Sequence, residues 1–280
     1  PYALPIAYMV DDAILDVDLT SDNPFENQNK LLSAMISNED VDYFKRFHPN
    51  EIVPENAKQT MYGNHTKFVP RIEDENSQIL FYATAPTSDM VYFYMPSNYQ
   101  RKVNLWLDEV FLDYNFEEGN MTTKTLGRFD EGQEFKLGVT ITDKNEVLYK
   151  DTYFYYLDEQ IFHEAVDTLK QQPLEITSFK EHHIEGTVNA KKDGILFTTI
   201  SWEPGWTIYV DGKEVKQEKV ADAFIGIPVE AGEHTIEMRF FPKGMTLGII
   251  LSTLGLITLI LIGIYQRKDK EILLDRLYEI

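Results

Sequence analysis

The chain has 280 residues, no cysteine and a formal net charge of −20 at pH 7. An acidic surface of this strength repels nucleic acid and other phosphate polymers, so nucleic-acid binding is excluded as a function. The absence of cysteine excludes disulfides and thiolate metal sites, and the length suffices for two ordinary β domains without such crosslinks.

Residues 1–50 are predicted to form an N-terminal segment with short helices. Asn23 can cap a helix over residues 22–36, Pro24 suits its first position, and Glu26 completes a capping box. A second short helix is predicted over residues 41–47. The polar stretch 49–70, with three prolines and one glycine, is predicted to be loop.

The N-terminal segment also carries an acidic string. Its members are Asp11, Asp12, Asp16, Asp18 and Asp22. An EF-hand loop would need glycine where Ser21 stands and glutamate where Asn27 stands. The string is therefore interpreted as a solvated strand edge and helix cap, and no metal site is predicted.

Residues 51–157 are predicted to form a first antiparallel β-sandwich module. Segments rich in β-branched and aromatic residues alternate with turn formers, and no crossover helices lie between them. The predicted strands cover residues 79–83, 91–95, 103–107, 135–141 and 147–157.

Residues 158–172 are predicted to be a linker helix, with Asp158 as its cap and Pro173 just past its end. A second β-sandwich module is predicted over residues 173–243, with an Asp211-Gly212 turn suited to a hairpin. Its predicted strands lie near residues 195–200, 207–210, 224–229 and 234–240. The overall prediction is a mainly β chain of two sandwich modules with short helices.

The two modules share a sequence pattern. Residues 105–108, Leu-Trp-Leu-Asp, are followed by Gly132 at the start of a strand, and residues 208–211, Ile-Tyr-Val-Asp, are followed by Gly232 at the start of another. Duplication of one module explains this pattern, and so does the general likeness of β-hairpins, and both explanations stay open.

Residues 244–265 are predicted to be a transmembrane helix. No charged residue occurs from Met245 to Tyr265, and a helix of that length reaches about 32 Å, enough to cross the hydrocarbon core. A buried core helix is the alternative. The basic residues Arg267 and Lys268 directly follow, which predicts a cytoplasmic tail at 266–280 and an extracytoplasmic bulk at the cell membrane.

Gly244, Gly248 and Ser252 share one face of this helix and predict close packing against other transmembrane helices.

Two further groups of residues were weighed as sites. His182 and His183 are adjacent, so on a strand they point to opposite faces and cannot bind one metal without a bulge. They are interpreted as part of an exposed polar strand. Trp202, Glu203 and Trp206 surround a turn, where two indoles and a carboxylate can form a stacking platform for a sugar ring. They are the predicted carbohydrate-binding residues, although Trp206 also suits a core position.

Three stretches of the chain resemble the YfhO family of bacterial multi-pass membrane proteins. They are Leu4-Pro5-Ile6-Ala7-Tyr8-Met9-Val10, Asn23-Pro24-Phe25-Glu26-Asn27-Gln28-Asn29, and the ending in which Gly205-Trp206 leads to Tyr209-Val210-Asp211-Gly212 and then to Gly232-Glu233-His234.

This family is similar to the GT-C class of glycosyltransferases. The resemblance implies a full-length protein that moves a sugar from a polyprenyl-phosphate carrier to an envelope polymer, with teichoic acid the expected acceptor in Gram-positive bacteria. In that class the catalytic acid lies in an early extracytoplasmic loop, so no catalytic residue is assigned here. No cofactor is expected in this region, and a divalent cation remains an option for the full-length protein.

Two readings from other classes remain open. One is a non-catalytic, membrane-anchored β-sandwich protein that binds a glycan or a partner. The other is a structural component of the envelope. Hydrophobic spans upstream of Pro1 would favour the transferase, whereas a lone signal peptide would favour the binding protein.

Overall fold

A computed structural model describes residues 3–36, 40–63, 65–72, 77–96, 102–115, 122–141, 147–149 and 151–278. The chain divides into a first unit, Pro1–Gln171, and a second unit, Gln172–Ile280. The predicted mainly β class is confirmed, because strands predominate and form five antiparallel sheets in the described residues.

The strands of the first unit are β1 Ala7–Val10, β2 Phe44–Phe47, β3 Glu51–Glu55, β4 Ala57–Tyr62, β5 His65–Pro70, β6 Ser77–Thr84, β7 Met90–Tyr94, β8 Val103–Leu107, β9 Val110–Asn115, β10 Lys124–Arg128, β11 Glu134–Ile141, β12 Val147–Tyr149 and β13 Tyr153–Leu157. The strands of the second unit are β14 Glu175–Lys180, β15 His183–Ala190, β16 Gly194–Ser201, β17 Trp206–Val210, β18 Lys213–Val215, β19 Glu218–Val220, β20 Phe224–Val229 and β21 Gly232–Phe240. The α-helices are α1 Pro24–Ile36, α2 Glu159–Leu169 and α3 Met245–Tyr278.

The first two helices begin where their caps predict. The Asn23 carboxamide oxygen accepts the backbone N–H of Phe25 at 3.1 Å, and the Asp158 carboxylate accepts that of Ile161 at 3.3 Å. Buried Asn23 also donates to the Tyr155 hydroxyl at 2.8 Å. The helix start in the Asn23-Pro24-Phe25 motif is thereby fixed to strand β13.

The predicted helix over residues 41–47 is wrong, because residues 44–47 form strand β2. The side-chain amide of Asn29 binds both backbone groups of Phe44, accepting its N–H at 2.8 Å and donating to its carbonyl at 2.9 Å. Strand β13 pairs with β2 along its length. These long-range partners override the local helical pattern.

The predicted loop over residues 49–70 is also wrong, because it contains β3, β4 and β5. Pro54 lies in β3, at the edge of its sheet, where the missing N–H is tolerated. Pro70 ends β5. The prolines mark a sheet edge and a strand end, so they do not exclude strands here.

The core of the first unit lies between two main sheets, ordered β10-β7-β13-β2 and β3-β6-β11-β8-β9. Phe154 is fully buried at its centre, with ring centroids 5.0 Å from Phe93 and 5.8 Å from Phe81. Phe135 on β11 also faces Phe154. Aromatic side chains from both sheets therefore form one sandwich core. A small third sheet has the order β12-β5-β4.

The second unit has a five-stranded sheet, β14-β15-β21-β17-β18, and a second sheet in which β16, β20 and β19 are neighbours. Ile236 and Met238 of β21 are buried, as are Ile225 and Ile227 of β20. In the second sheet, a Cβ added at Gly226 would lie 2.7 Å from the Val220 side chain and 2.8 Å from that of Ile195, so a larger residue would have to displace them.

The five-stranded sheets of the two units have the same topology. Numbered along the chain within each sheet, their strands are arranged 1-2-5-3-4, as β3-β6-β11-β8-β9 and as β14-β15-β21-β17-β18. This agreement extends over five strands, well beyond a single hairpin. It favours duplication as the source of the repeated sequence pattern.

The five-stranded sheets of both units also contain the same turn. Asp108 and Asp211 directly follow β8 and β17, the third strands of their sheets, and both have a positive φ, 45° and 51°. Each donates its backbone N–H to the carbonyl of a residue on the fifth strand at 2.9 Å, and its carboxylate accepts the N–H of that same residue at 2.8 Å. The partner is Lys136 in the first unit and Thr235 in the second. The repeated aspartate therefore fastens a hairpin to the neighbouring strand.

Replacing Asp211 should destabilise the second unit in a way that depends on pH. The Thr235 N–H, and then His234, lower the pKa of Asp211. A depressed carboxyl pKa contributes stability above the unfolded value of about 3.9, and this contribution is lost as the pH falls through the folded value. The melting temperature of Asp211→Asn should thus lie below that of the parent at pH 7, and the difference should shrink near pH 3.

A control for this melting experiment is Asp222→Asn, because the Asp222 side chain is fully exposed in another turn with positive φ. It should melt like the parent at both pH values. An equal gap between Asp211→Asn and the parent at pH 7 and pH 3 would contradict the charge-based explanation.

The last helix, α3, follows β21 after a short connection. Gly244 has a φ of +83°, which favours glycine, and its carbonyl accepts the N–H of Gly248 at 2.9 Å. A candidate membrane span covers Met245–Arg267 with a mean hydropathy of 2.6, and none of it is buried. The helix continues beyond the predicted end of the span to Tyr278.

Candidate functional site

The predicted carbohydrate platform lies in the turn between β16 and β17. Trp202 is half-buried and has the Lys219 ammonium 5.7 Å from its ring centroid. Trp206 begins β17 and packs on Phe240, with centroids 5.0 Å apart. Glu203 is exposed, and its backbone carbonyl accepts the backbone N–H of Trp206. The Glu203 carboxylate is therefore not needed for the turn. The two indoles thus contact different side chains, Lys219 for Trp202 and Phe240 for Trp206. Their sugar-stacking role stays a prediction.

The predicted helix-packing residues lie at the start of α3. Gly244 precedes the helix, and Gly248 and Ser252 lie one and two turns further on. All three are exposed, and a Cβ added at Gly244 or Gly248 would meet no atom within 4 Å. Every residue of the candidate span is exposed, so the packing role of this face stays a prediction.

The acidic string of the N-terminal segment has structural roles at two positions. Asp11 caps a short 3₁₀ helix, Asp12–Asp16, by accepting the Ala13 N–H at 3.1 Å. Asp18 accepts the backbone N–H and hydroxyl of Thr20 at 3.0 and 2.6 Å. These contacts agree with the cap interpretation.

A charged depression of about 610 Å³ lies on one face of the five-stranded sheet in the second unit. Residues two apart on a strand share a face, so His183 and Glu185 of β15 lie beside Glu237 and Arg239 of β21. Tyr209 of the next strand completes the group. The polar residues thus converge across three adjacent strands.

His183 is the centre of this group. Its Nε2 lies 2.8 Å from the Glu237 Oε1 and 3.1 Å from the Glu185 Oε1. The Arg239 Nε donates to the same Glu237 oxygen at 2.6 Å, and its guanidinium lies 5.0 Å from the Tyr209 ring centroid. Arg239 and then His183 lower the pKa of Glu237, which favours its ionised form.

Sequence reasoning missed this group. It treated His182 and His183 as a pair, whereas the structure joins His183 to a glutamate 54 positions later. His182 lies in the turn before β15, at the edge of the same depression. The available signal was the alternation of charged and apolar residues at 183–185 and 236–239, which predicts charged side chains on a shared strand face.

The first unit has uncharged residues at the positions that correspond to this group, although the charged residues Glu109 and Lys136 lie beside them. The shared aspartate turn aligns Lys136 with Thr235, so Gly138 and Thr140 correspond to Glu237 and Arg239. Their cross-strand partners Leu80 and Gln78 correspond to Glu185 and His183. Trp106 occupies the place of Tyr209, beside a depression of about 370 Å³. The fold accommodates neutral residues at the positions where the second unit has charged ones.

Trp106 was not among the predicted binding residues. Its ring packs edge-on against Phe111, with centroids 5.4 Å apart. Its Nε1 is buried and has no hydrogen-bond partner within the described residues. The indole N–H is therefore not accessible to a ligand in the depression, and it supports no binding role for Trp106.

Comparison with known proteins identifies similarity at the level of sequence. The family described as "Bacterial membrane protein YfhO" matches residues 1–252. "Uncharacterized protein YfhO" of Bacillus subtilis (strain 168) is 28% identical over 127 residues, which are 45% of this chain and 14% of that protein. The matched segment thus spans about a seventh of the length of this relative.

Among solved structures, a β-glucuronidase from Ruminococcus gnavus in complex with D-glucuronic acid is 10% identical with a TM-score of 0.25, covering 61% of this chain and 31% of its own. A glycosyl hydrolase family 2 member from Bacteroides cellulosilyticus DSM 14838 is 9% identical with a TM-score of 0.28, covering 72% and 32%. These scores are too low to support an argument about fold or function.

Proposed function

Because the chain belongs to the YfhO family of bacterial membrane proteins, we propose that it forms the extracytoplasmic C-terminal region and the last membrane helix of a GT-C-type glycosyltransferase. The full-length enzyme would transfer a sugar from a polyprenyl-phosphate carrier to an envelope polymer such as teichoic acid. The observation that carries this proposal is the family match over residues 1–252, together with the unburied apolar span Met245–Arg267.

The proposed role of this region is to position the acceptor, with the chemistry performed upstream. The matched segment is 14% of the length of its relative, so a protein of that length would have room for the separate segments that perform the chemistry. The net charge of −20 disfavours a polyanionic acceptor unless cations or positive substituents of the polymer screen the repulsion. The orientation follows from the basic residues just after the span, which favour the cytoplasmic side.

Replacing Trp202 should weaken use of the acceptor and leave donor binding intact. Loss of one stacking aromatic costs about 1 kcal/mol, so the acceptor KM of Trp202→Ala should rise roughly fivefold. The measurement is transfer of labelled sugar by membranes containing the full-length protein, with donor and acceptor varied separately.

The matched control for the transfer assay is Phe179→Ala, which removes another exposed aromatic residue of the second unit. It should leave the acceptor KM unchanged. If Trp202→Ala transfers to every acceptor tested as the parent does, the platform is not used. If full-length membranes transfer no sugar at all, the non-catalytic binding protein becomes the better reading.

A further inference from the structure

The depression in the second unit places three groups of the kind that bind metals on adjacent strands. We infer that His183, Glu185 and Glu237 form a site for a divalent transition-metal ion of the Zn²⁺ or Mn²⁺ class. This inference concerns a binding property of the chain and goes beyond the proposed transferase role. It can be tested without any sugar-transfer assay.

The geometry requires little adjustment. The three ligand atoms lie within 4.8 Å of one another. Bonds of about 2.1 Å to a tetrahedral ion would place them roughly 3.4 Å apart. Rotation of the two glutamate side chains can supply this adjustment, and the half-exposed Glu185 carboxylate has room to move.

Two of the proposed ligands are carboxylates that face each other, and a cation between them would reduce their repulsion. Glu185 and Glu237 are directly opposite each other on β15 and β21, and like charges at such positions are destabilising. The equivalent pair in the first unit is Leu80 and Gly138, so the fold does not require two carboxylates there. A bound cation would offset the repulsion between them.

The donor set selects the class of ion. One imidazole nitrogen with two carboxylates suits Zn²⁺ or Mn²⁺, whereas Mg²⁺ and Ca²⁺ prefer oxygen ligands throughout. The ion would replace the proton on His183 Nε2. Arg239 orients the Glu237 carboxylate from outside the ligand set. Three protein ligands leave coordination positions open to water or to an anionic oxygen.

The proposed metal site lies close in sequence to the start of helix α3. Arg239, next to the ligands, lies six positions before Met245, where the apolar span begins. An extended chain of that length covers at most about 20 Å. The proposed ion therefore lies close to the start of the membrane helix.

The test measures metal binding to the 280-residue chain in detergent. After treatment with a chelator, the protein is titrated with ZnCl₂ or MnCl₂ in a calorimeter, with MgCl₂ as the comparison ion. We expect one saturable site for Zn²⁺ or Mn²⁺ per chain. His183→Ala and Glu237→Gln should each weaken binding at least tenfold. His182→Ala, which removes the neighbouring histidine, should bind like the parent.

A second variant separates a metal site from a simple ion-pair group. Glu185→Gln removes the like-charge repulsion, so its metal-free form should melt at or above the parent temperature, while the increase in melting temperature caused by the ion should disappear. Binding that is not saturable overturns the inference. Equal weakening by His182→Ala and His183→Ala, or an unchanged thermal response in Glu185→Gln, would do so too.

Discussion

A chain that ends after Lys243 should remain in aqueous solution, whereas the 280-residue chain should require detergent. The change removes the whole of α3, whose span Met245–Arg267 is apolar and unburied. Such a surface in water would cause aggregation or membrane insertion. The measurement is flotation with lipid vesicles, in which the 280-residue chain should rise with the lipid and the shortened chain should stay in the dense fraction.

The control for the flotation experiment is a chain that ends after Arg267. It keeps the whole candidate span and loses only the end of α3, so it should float like the parent. If the 280-residue chain stays dispersed without detergent or lipid, the helix is not embedded in a membrane. The assignment of the chain to the envelope would then lose its physical basis.

Replacing Phe154 with alanine should cause a large loss of stability. Phe154 is fully buried and contacts aromatic rings from both main sheets of the first unit, including Phe47, Phe81 and Phe93. Removing a buried phenyl ring costs about 3–5 kcal/mol, because transfer energy is lost and a cavity remains. Urea unfolding followed by fluorescence should show a much lower midpoint for the first unit.

The control for the unfolding experiment is Phe179→Ala, since Phe179 is 59% exposed. Its effect on stability should stay within about 0.5 kcal/mol, as for most surface substitutions. A loss below about 1 kcal/mol for Phe154→Ala would mean that the two sheets do not share a close-packed core.

The strands of the sandwich modules were predictable where burial imposes a local pattern. Residues 79–83 and 135–141 alternate or cluster apolar side chains, and they lie in β6 and β11. Local pattern failed where long-range partners decide the conformation. Residues 44–47 pair with a strand more than a hundred positions later. The strands within 49–70 lie on sheet edges or in the small sheet, where prolines are tolerated.

The candidate sites were likewise predictable from the sequence only where a local pattern reveals them. The turn residues Asp108 and Asp211 could be identified because their repeat is visible in the sequence, and the structure supplies their shared hydrogen bonds. The contact of His183 with Glu237 depends on strand register, which adjacent histidines do not reveal. The role of the Trp202 platform stays a prediction, because its test requires a sugar.

The uninterrupted length of α3 has a mechanical consequence. Its 34 residues extend about 51 Å at the helical rise, which exceeds the roughly 30 Å of hydrocarbon in a bilayer. If α3 spans a bilayer, it therefore extends beyond the hydrocarbon core as one continuous helix. A tilt of this helix would displace both of its ends together, because its 34 residues form one helix without a break.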